Sequence, residues 1–240
     1  MSVVLYHHPF SRAATVVWML EEVGVDYEIR NVDIMKGAHK QPELVSLNPM
    51  GKLPTLTDGG AVVTESAAIG LYLADRYAYG RLAPHVDDPR RGSYLRWSLF
   101  APSVIEPGAM AKLSGWDFKE GQAGWGAYES MLTAMESAIG DRSFILGDEF
   151  SMADVIFGGT LRYMLAFKMV ESCRRSLPTP SASLPGPRSS APRPATPRSA
   201  PSSASTSADQ SAASLSRRSR RAWSSRPSSL RCRCTSWRRR

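Results

Sequence analysis

The sequence predicts an α/β domain over residues 1–80, an all-α domain over residues 88–171 and a low-complexity tail over residues 172–240. Three observations predict it. Short β-type runs alternate with helical apolar stripes before residue 80, which calls for a mixed sheet with helices on its faces. After the polar connection Pro84 to Pro89, only helical patterns follow. Beyond Glu171 the composition changes abruptly, and Val, Ile, Phe, Tyr, Met, Lys and Glu vanish.

Val3, Val4 and Leu5 form a short buried-strand candidate. After the turn at His8-Pro9, Ala13, Val16, Val17, Leu20 and Val23 recur on one helical face, and Gly24 ends that helix. Tyr27 to Val32 reads as a second strand and Gln41 to Leu47 as a short helix. Thr55 to Thr57 and Ala61 to Val63 flank Asp58-Gly59-Gly60, the pattern of a hairpin. A helix over 65–77 closes the unit.

In the second part, one helical stretch is expected from Asp88 to about Leu113, interrupted at Pro102 and Pro107, and another from about Gln122 to Ile139. Ser151 followed three residues later by Asp154 is a capping box with Asp in place of Glu, and Phe150 and Val155 are spaced as a hydrophobic staple. Phe157, Leu161, Met164 and Leu165 are expected to face inward. Gly158-Gly159 costs on the order of 1 kcal/mol per glycine against alanine, so a close helix contact is expected there. Trp18, Trp97, Trp116 and Trp125 read as core or helix contacts.

Charge separates the tail from the rest. Residues 1–171 carry 15 Lys+Arg against 21 Asp+Glu, whereas residues 172–240 carry 15 Arg against the single Asp209. The overall charge of +8 is therefore entirely the tail's. Ser, Arg, Pro and Ala make up 53 of its 69 residues, too little apolar surface to offset ordering entropy, so it is expected to be disordered. Such a composition is also what GC-rich DNA yields out of frame, and a frame change near Val170 to Arg175 is expected. The rival is a basic nucleic-acid arm, which Arg217-Arg218-Ser219-Arg220-Arg221 would favour. Nucleic-acid binding is the lesser expectation. Cys173, Cys232 and Cys234 all lie in the tail, so no disulfide, redox pair or thiolate metal site is expected in the folded part. No apolar run approaches the roughly 20 residues of a membrane span, and the N-terminus has no signal-like region, so the expected location is cytoplasmic.

The most informative stretch is Gly51-Lys52-Leu53-Pro54-Thr55-Leu56, followed by Glu65-Ser66-Ala67-Ala68-Ile69. Pro54 cannot donate to a sheet ladder, so it belongs at a strand start, where an X-Pro bond can be cis. Leu53 then presents its backbone to an extended peptide as to an added strand. At the start of the next helix, free N–H groups and the Ser66 hydroxyl can hold a carboxylate while Glu65 holds an ammonium. The pair reads as a pocket for a γ-glutamyl peptide.

Asn48-Pro49-Met50-Gly51-Lys52-Leu53-Pro54 followed by Glu65 to Ile69, with the capping box at 151–154, resembles the soluble glutathione transferases from about Met1 to Glu171. The resemblance implies a thioredoxin-like N-terminal domain holding glutathione and a helical domain supplying the site of a small hydrophobic electrophile. It implies no cofactor beyond glutathione as co-substrate, no metal, and a homodimer. Ser11 matches the position whose hydroxyl faces the glutathione sulfur. Tyr6 is the alternative hydroxyl, and Ser11 can equally serve as a helix cap. A thiol of pKa about 8.5 is about 3% ionised at pH 7, and about two units of lowering, worth about 2.7 kcal/mol, brings it to about three quarters. A hydrogen bond to a charged group at about 1.5–3 kcal/mol and a helix N-terminus at about 0.3–1 suffice for that.

By the same resemblance Lys52 and His39 reach the glycine carboxylate, Leu53 and Pro54 shape the edge that pairs with the cysteinyl backbone, and Glu65 and Ser66 hold the γ-glutamyl end. Lys52 and His39 can also be plain solvated loop residues, and Glu65 a helix-start charge. Arg12 is expected in a structural or dimer-interface ion pair. The expected activity is conjugation of glutathione to electrophiles, a detoxifying reaction. The alternatives are a non-catalytic binding module and an impaired product whose missing terminal helices expose apolar surface.

Overall fold

The computed structural model describes residues 3–170, apart from the side chain of Ile139. The expected disorder and frame change of the tail, with its three cysteines and arginine clusters, lie outside the described residues. Strands β1 (Val3–His7), β2 (Tyr27–Asn31), β3 (Thr55–Asp58) and β4 (Ala61–Thr64) form one sheet in the order β2-β1-β3-β4. β2 runs parallel to β1, whereas β3 is antiparallel to both β1 and β4.

The two sheet faces are covered differently because strand side chains alternate. Val3, Leu5 and Leu56 belong to a core shared with α1 (Ala13–Val23) and α3 (Ser66–Tyr77). Val4 and Tyr6 instead pack with Leu44 of α2 (Pro42–Leu47) and with Leu47 and Leu53. Gly24 ends α1 with a φ of 73°, a left-handed conformation that costs glycine nothing.

Four more helices follow: α4 (Arg91–Phe100), α5 (Glu106–Leu113), α6 (Tyr128–Ile139) and α7 (Met152–Ala166). Between α4 and α5, Ala101–Ile105 is a π-helical segment containing Pro102, and Pro107 sits in the first turn of α5. The expected interruptions therefore mark a widened turn and a helix start rather than loops. α4 begins at Arg91, not Asp88, because the Asp88 carboxylate accepts from the Arg90 N–H at 2.8 Å and closes a turn there. α6 begins at Tyr128, not near Gln122, because Gly126 adopts a φ of 68° and ends the preceding turn.

The capping box of α7 is present, and Asp154 also accepts from the Ile145 N–H at 2.8 Å, tying the preceding loop to the helix. Burial raises the Asp154 pKa despite these hydrogen bonds. Gly159 lies where a Cβ would overlap Cγ2 of Thr15, so the expected close contact is the crossing of α7 over α1. Gly70 permits the matching approach of α3, since a Cβ there would be 2.9 Å from Ile156. One core cluster thus runs from β1 through α1 and α3 into Ile156 and Phe157 of α7. Two expectations fail on the rim: Leu165 is 45% and Trp116 53% exposed. Leu165 leaves the inward face because Leu161 and Met164 already fill it. Trp116 follows the end of α5, where no helix face constrains it.

Candidate functional site

Strand register decides where the site residues meet. Tyr6 pairs with Arg30 and with Thr55, and Thr55 pairs with Thr64, so these four positions form one row across the sheet. The Ser11 turn leaves β1 just past that row, Leu53-Pro54 enters β3 just before it, and Glu65-Ser66 leaves β4 just after it. All three therefore emerge at one end of the sheet. Strands about 4.8 Å apart put β1 and β4 about 10 Å from each other, the reach of an extended tripeptide.

The turn before β3 is fixed by Asn48, a motif residue to which the sequence alone assigned no role. Asn48 is buried and donates from Nδ2 to the Lys52 carbonyl at 2.9 Å and to the Thr55 hydroxyl at 3.3 Å. Its Oδ1 accepts from the Met50 N–H at 3.1 Å. An asparagine before proline at a strand entry is a turn signal that could have found it. The Leu53-Pro54 peptide is cis. Among the described residues no hydrogen bond engages the Leu53 N–H or C=O, and its side chain packs beside Tyr6 and Leu44.

The 3-10 turn Ala38–Lys40 is stitched to this segment, with Lys40 Nζ donating to the Met50 carbonyl at 2.8 Å. Gly51 has a φ of 54°, and a Cβ on it would stand 2.8 Å from the His39 carbonyl. This close approach brings the His39 backbone against Gly51, the residue before Lys52. His39 is half-buried rather than fully solvated, and its enclosed Nδ1 has no partner among the described residues. Lys52 is exposed, and no ion pair engages it among the described residues.

On the other side, Glu65 holds a φ of 65° and a ψ of 121°, outside the ordinary regions for a side-chain-bearing residue. Such backbone costs on the order of 1–3 kcal/mol and gathers at ligand sites. α3 has no side-chain cap, and neither the Ser66 hydroxyl nor the Glu65 carboxylate has a recorded partner among the described residues. The first turn of α3 is therefore open to an anion.

Ser11 is already hydrogen-bonded. Its hydroxyl donates to the His8 carbonyl at 2.7 Å and accepts from the Ala13 N–H at 3.2 Å, the latter a capping contact. Tyr6 is 7% exposed on the α2 face, where its hydroxyl accepts from Arg30 at 3.2 Å. Arg12 makes an ion pair within the chain, through Nη2 to Glu106 Oε2 at 2.8 Å. His7, at the end of β1, has its pKa lowered by burial, and its Nδ1 is enclosed without a partner among the described residues.

Two family models match the chain: "Glutathione S-transferase, N-terminal domain" over residues 1–75 and "Glutathione S-transferase, C-terminal domain" over residues 118–177. Among curated relatives, Glutathione S-transferase 3 of Zea mays is 48% identical over 75 residues, 31% of this chain and 34% of that protein. Glutathione S-transferase hmp2 of Hypomyces subiculosus is 30% identical over 168 residues, 65% of this chain and 79% of the relative. The chain thus spans about a third of the maize relative's length and most of the fungal one. A glutathione transferase family member of Pseudomonas fluorescens, solved with two glutathione bound, superposes with a TM-score of 0.57 at 26% identity, over 69% of this chain and 78% of that one. The transferase URE2P6 of Phanerochaete chrysosporium, solved with oxidized glutathione, gives 0.58 at 27% identity over 71% and 82%.

Proposed function

The chain belongs to the glutathione transferase family, and from that premise we propose that it binds reduced glutathione across the open end of the sheet and conjugates it to small hydrophobic electrophiles. The observation carrying this reading is the row Tyr6, Thr55, Thr64, which gathers Ser11, Leu53-Pro54 and Glu65-Ser66 at one sheet end. The cysteinyl backbone pairs with Leu53 as an added strand. The γ-glutamyl carboxylate takes the free N–H groups of α3 and the Ser66 hydroxyl, its ammonium lies near Glu65, and the glycine carboxylate faces Lys52 and His39.

Ser11 then stabilises the thiolate. Its oxygen keeps the Ala13 N–H while its one hydrogen turns from the His8 carbonyl to the sulfur. The exchange is favourable, because a bond to a charged acceptor contributes about 1.5–3 kcal/mol against about 0.5–1.5 for a neutral one. The thiol proton leaves to solvent. The sulfur lone pair attacks the electrophilic carbon, and the carbon–halogen bond of an aromatic halide breaks with its electrons on the departing halide. Orientation of the two reactants supplies the remaining acceleration. A cytoplasmic homodimer belongs to the same reading.

The hydrogen bonds of Ser11 favour a second reading, a binding module in which that hydroxyl only caps α1. Calorimetric titration with reduced glutathione and steady-state conjugation of an aromatic halide separate the two. Transferase function requires glutathione binding and turnover that Ser11→Ala lowers about 100-fold. Binding without turnover in either protein leaves the module, and no binding at all refutes both.

A further inference from the structure

Resting on that reading, we propose that Arg12 and Glu106 are a positioning pair that ties the Ser11 turn to the helical domain and so holds the hydroxyl on the sulfur's path. Arg12 directly follows Ser11 and precedes α1. Its guanidinium meets Glu106 through both ends of the fork, Nη2–Oε2 at 2.8 Å and Nε–Oε1 at 3.4 Å. The same group lies 4.1 Å from the ring centroid of Tyr163 on α7, so its direction is fixed from two helices of the second domain. Planar stacking and paired donors are what a guanidinium offers and an ammonium does not.

Glu106 is the first residue of α5, where the π-helical segment Ala101–Ile105 gives way to α-helix, so its backbone is held within one continuous helical run. One turn further along α1, Thr15 packs against Gly159 of α7. The start of α1 is therefore pinned twice, once by charge and once by contact, whereas the preceding loop holds Phe10, which is 73% exposed. Ser11 lies between the free loop and the pinned helix. Its capping contact to Ala13 keeps the hydroxyl with the pinned part. The charged groups nearest this turn in sequence and contact are His8, Arg12 and Glu106.

Glu106→Gln removes one charge without removing bulk, at a residue not proposed to touch the tripeptide. Two measurements on the full chain test the pair: amide hydrogen exchange of the segment 8–14 without ligand, and the thiolate ultraviolet absorbance of bound reduced glutathione at pH 7. The expected result is about tenfold faster exchange in that segment alone. With it, the thiolate fraction should fall about threefold while KM for glutathione stays within about twofold.

Loss of a carboxylate acting only through its charge would raise the thiolate fraction, so a rise overturns positioning. Unchanged exchange overturns it too, as does faster exchange with an unchanged thiolate fraction. Arg12→Lys keeps the charge and loses the fork, and the same pair of changes is expected from it. Should the unmodified protein give no thiolate signal, the functional reading fails instead, and exchange still shows whether the pair pins the turn.

Discussion

The two ends of β3 are built on opposite principles. At Asp58 polar groups converge: the buried carboxylate accepts through Oδ2 from the Tyr72 hydroxyl at 2.9 Å, from the Tyr77 hydroxyl and from Arg76 at 2.9 Å. Past the other end of the strand, about 10 Å along β3 from Asp58, Leu53 and the first turn of α3 have backbone groups without a partner among the described residues. Tyr72, Arg76 and Tyr77 all belong to α3, so one end of the sheet anchors the helix whose other end it presents. The bonds at Asp58 hold the far end of α3 against the sheet, so that its first turn keeps its place beside the strand ends.

The largest expected effect comes from breaking the closed end. Asp58→Ala should lower unfolding free energy by about 3 kcal/mol, since several donors lose a buried charged acceptor. Chemical denaturation reads this, with glutathione affinity of the folded protein expected within about twofold of the original. A variant as stable as the parent would erase the contrast between the ends. Ser11→Ala attacks the open end, and its expected pattern is reversed: conjugation falls about 100-fold, or about 2.7 kcal/mol, whereas stability drops by only about 1 kcal/mol for the lost cap. Equal losses in both would make Ser11 a structural residue.

Glu65→Gly sharpens the comparison further. It relieves the backbone at a φ of 65° and should raise stability by about 1 kcal/mol while weakening glutathione binding. Thermal unfolding and calorimetry together check this, and a loss of stability would refute strain at that position. The smallest effect is the pH dependence at Asp58. Burial pushes its pKa up, but the hydrogen bonds from Tyr77 and Tyr72 and the Arg76 charge outweigh that, leaving it below the ordinary 3.8. Its stabilisation is therefore complete above pH 3.8 and lost as pH falls through the lower folded value. Asp58→Asn should flatten the acid limb of stability in that window, and an unaltered limb would show that Asp58 is not the group titrating.

Much of the fold was legible because its signals are local. Val16, Leu20 and Val23 on one stripe, Gly24 at a left-handed stop and Ser151 with Asp154 in a capping box each report a backbone preference within a few residues. The start of α6 was misread because apolar spacing before Tyr128 carries no information on which glycine turns the chain, and Gly126 does so here. In the site, Pro54 and the Glu65-Ser66 helix start were readable as chain geometry. Asn48 before Pro49 carried a turn signal, whereas the backbone of Glu65 has no sequence signature and the partner of Arg12 is brought close only by folding.

By itself the sequence determined the element order, the helix stops and the change of composition after Glu171. Only the tertiary structure decided how the elements meet. Antiparallel pairing of β3 with β1 and β4 is a long-range choice of register, and shifting it by one residue would turn every side chain of β3 to the opposite face. Likewise, no local preference can announce that Gly159 makes room for Thr15, or that Arg12 finds Glu106, because those contacts join residues far apart in the chain.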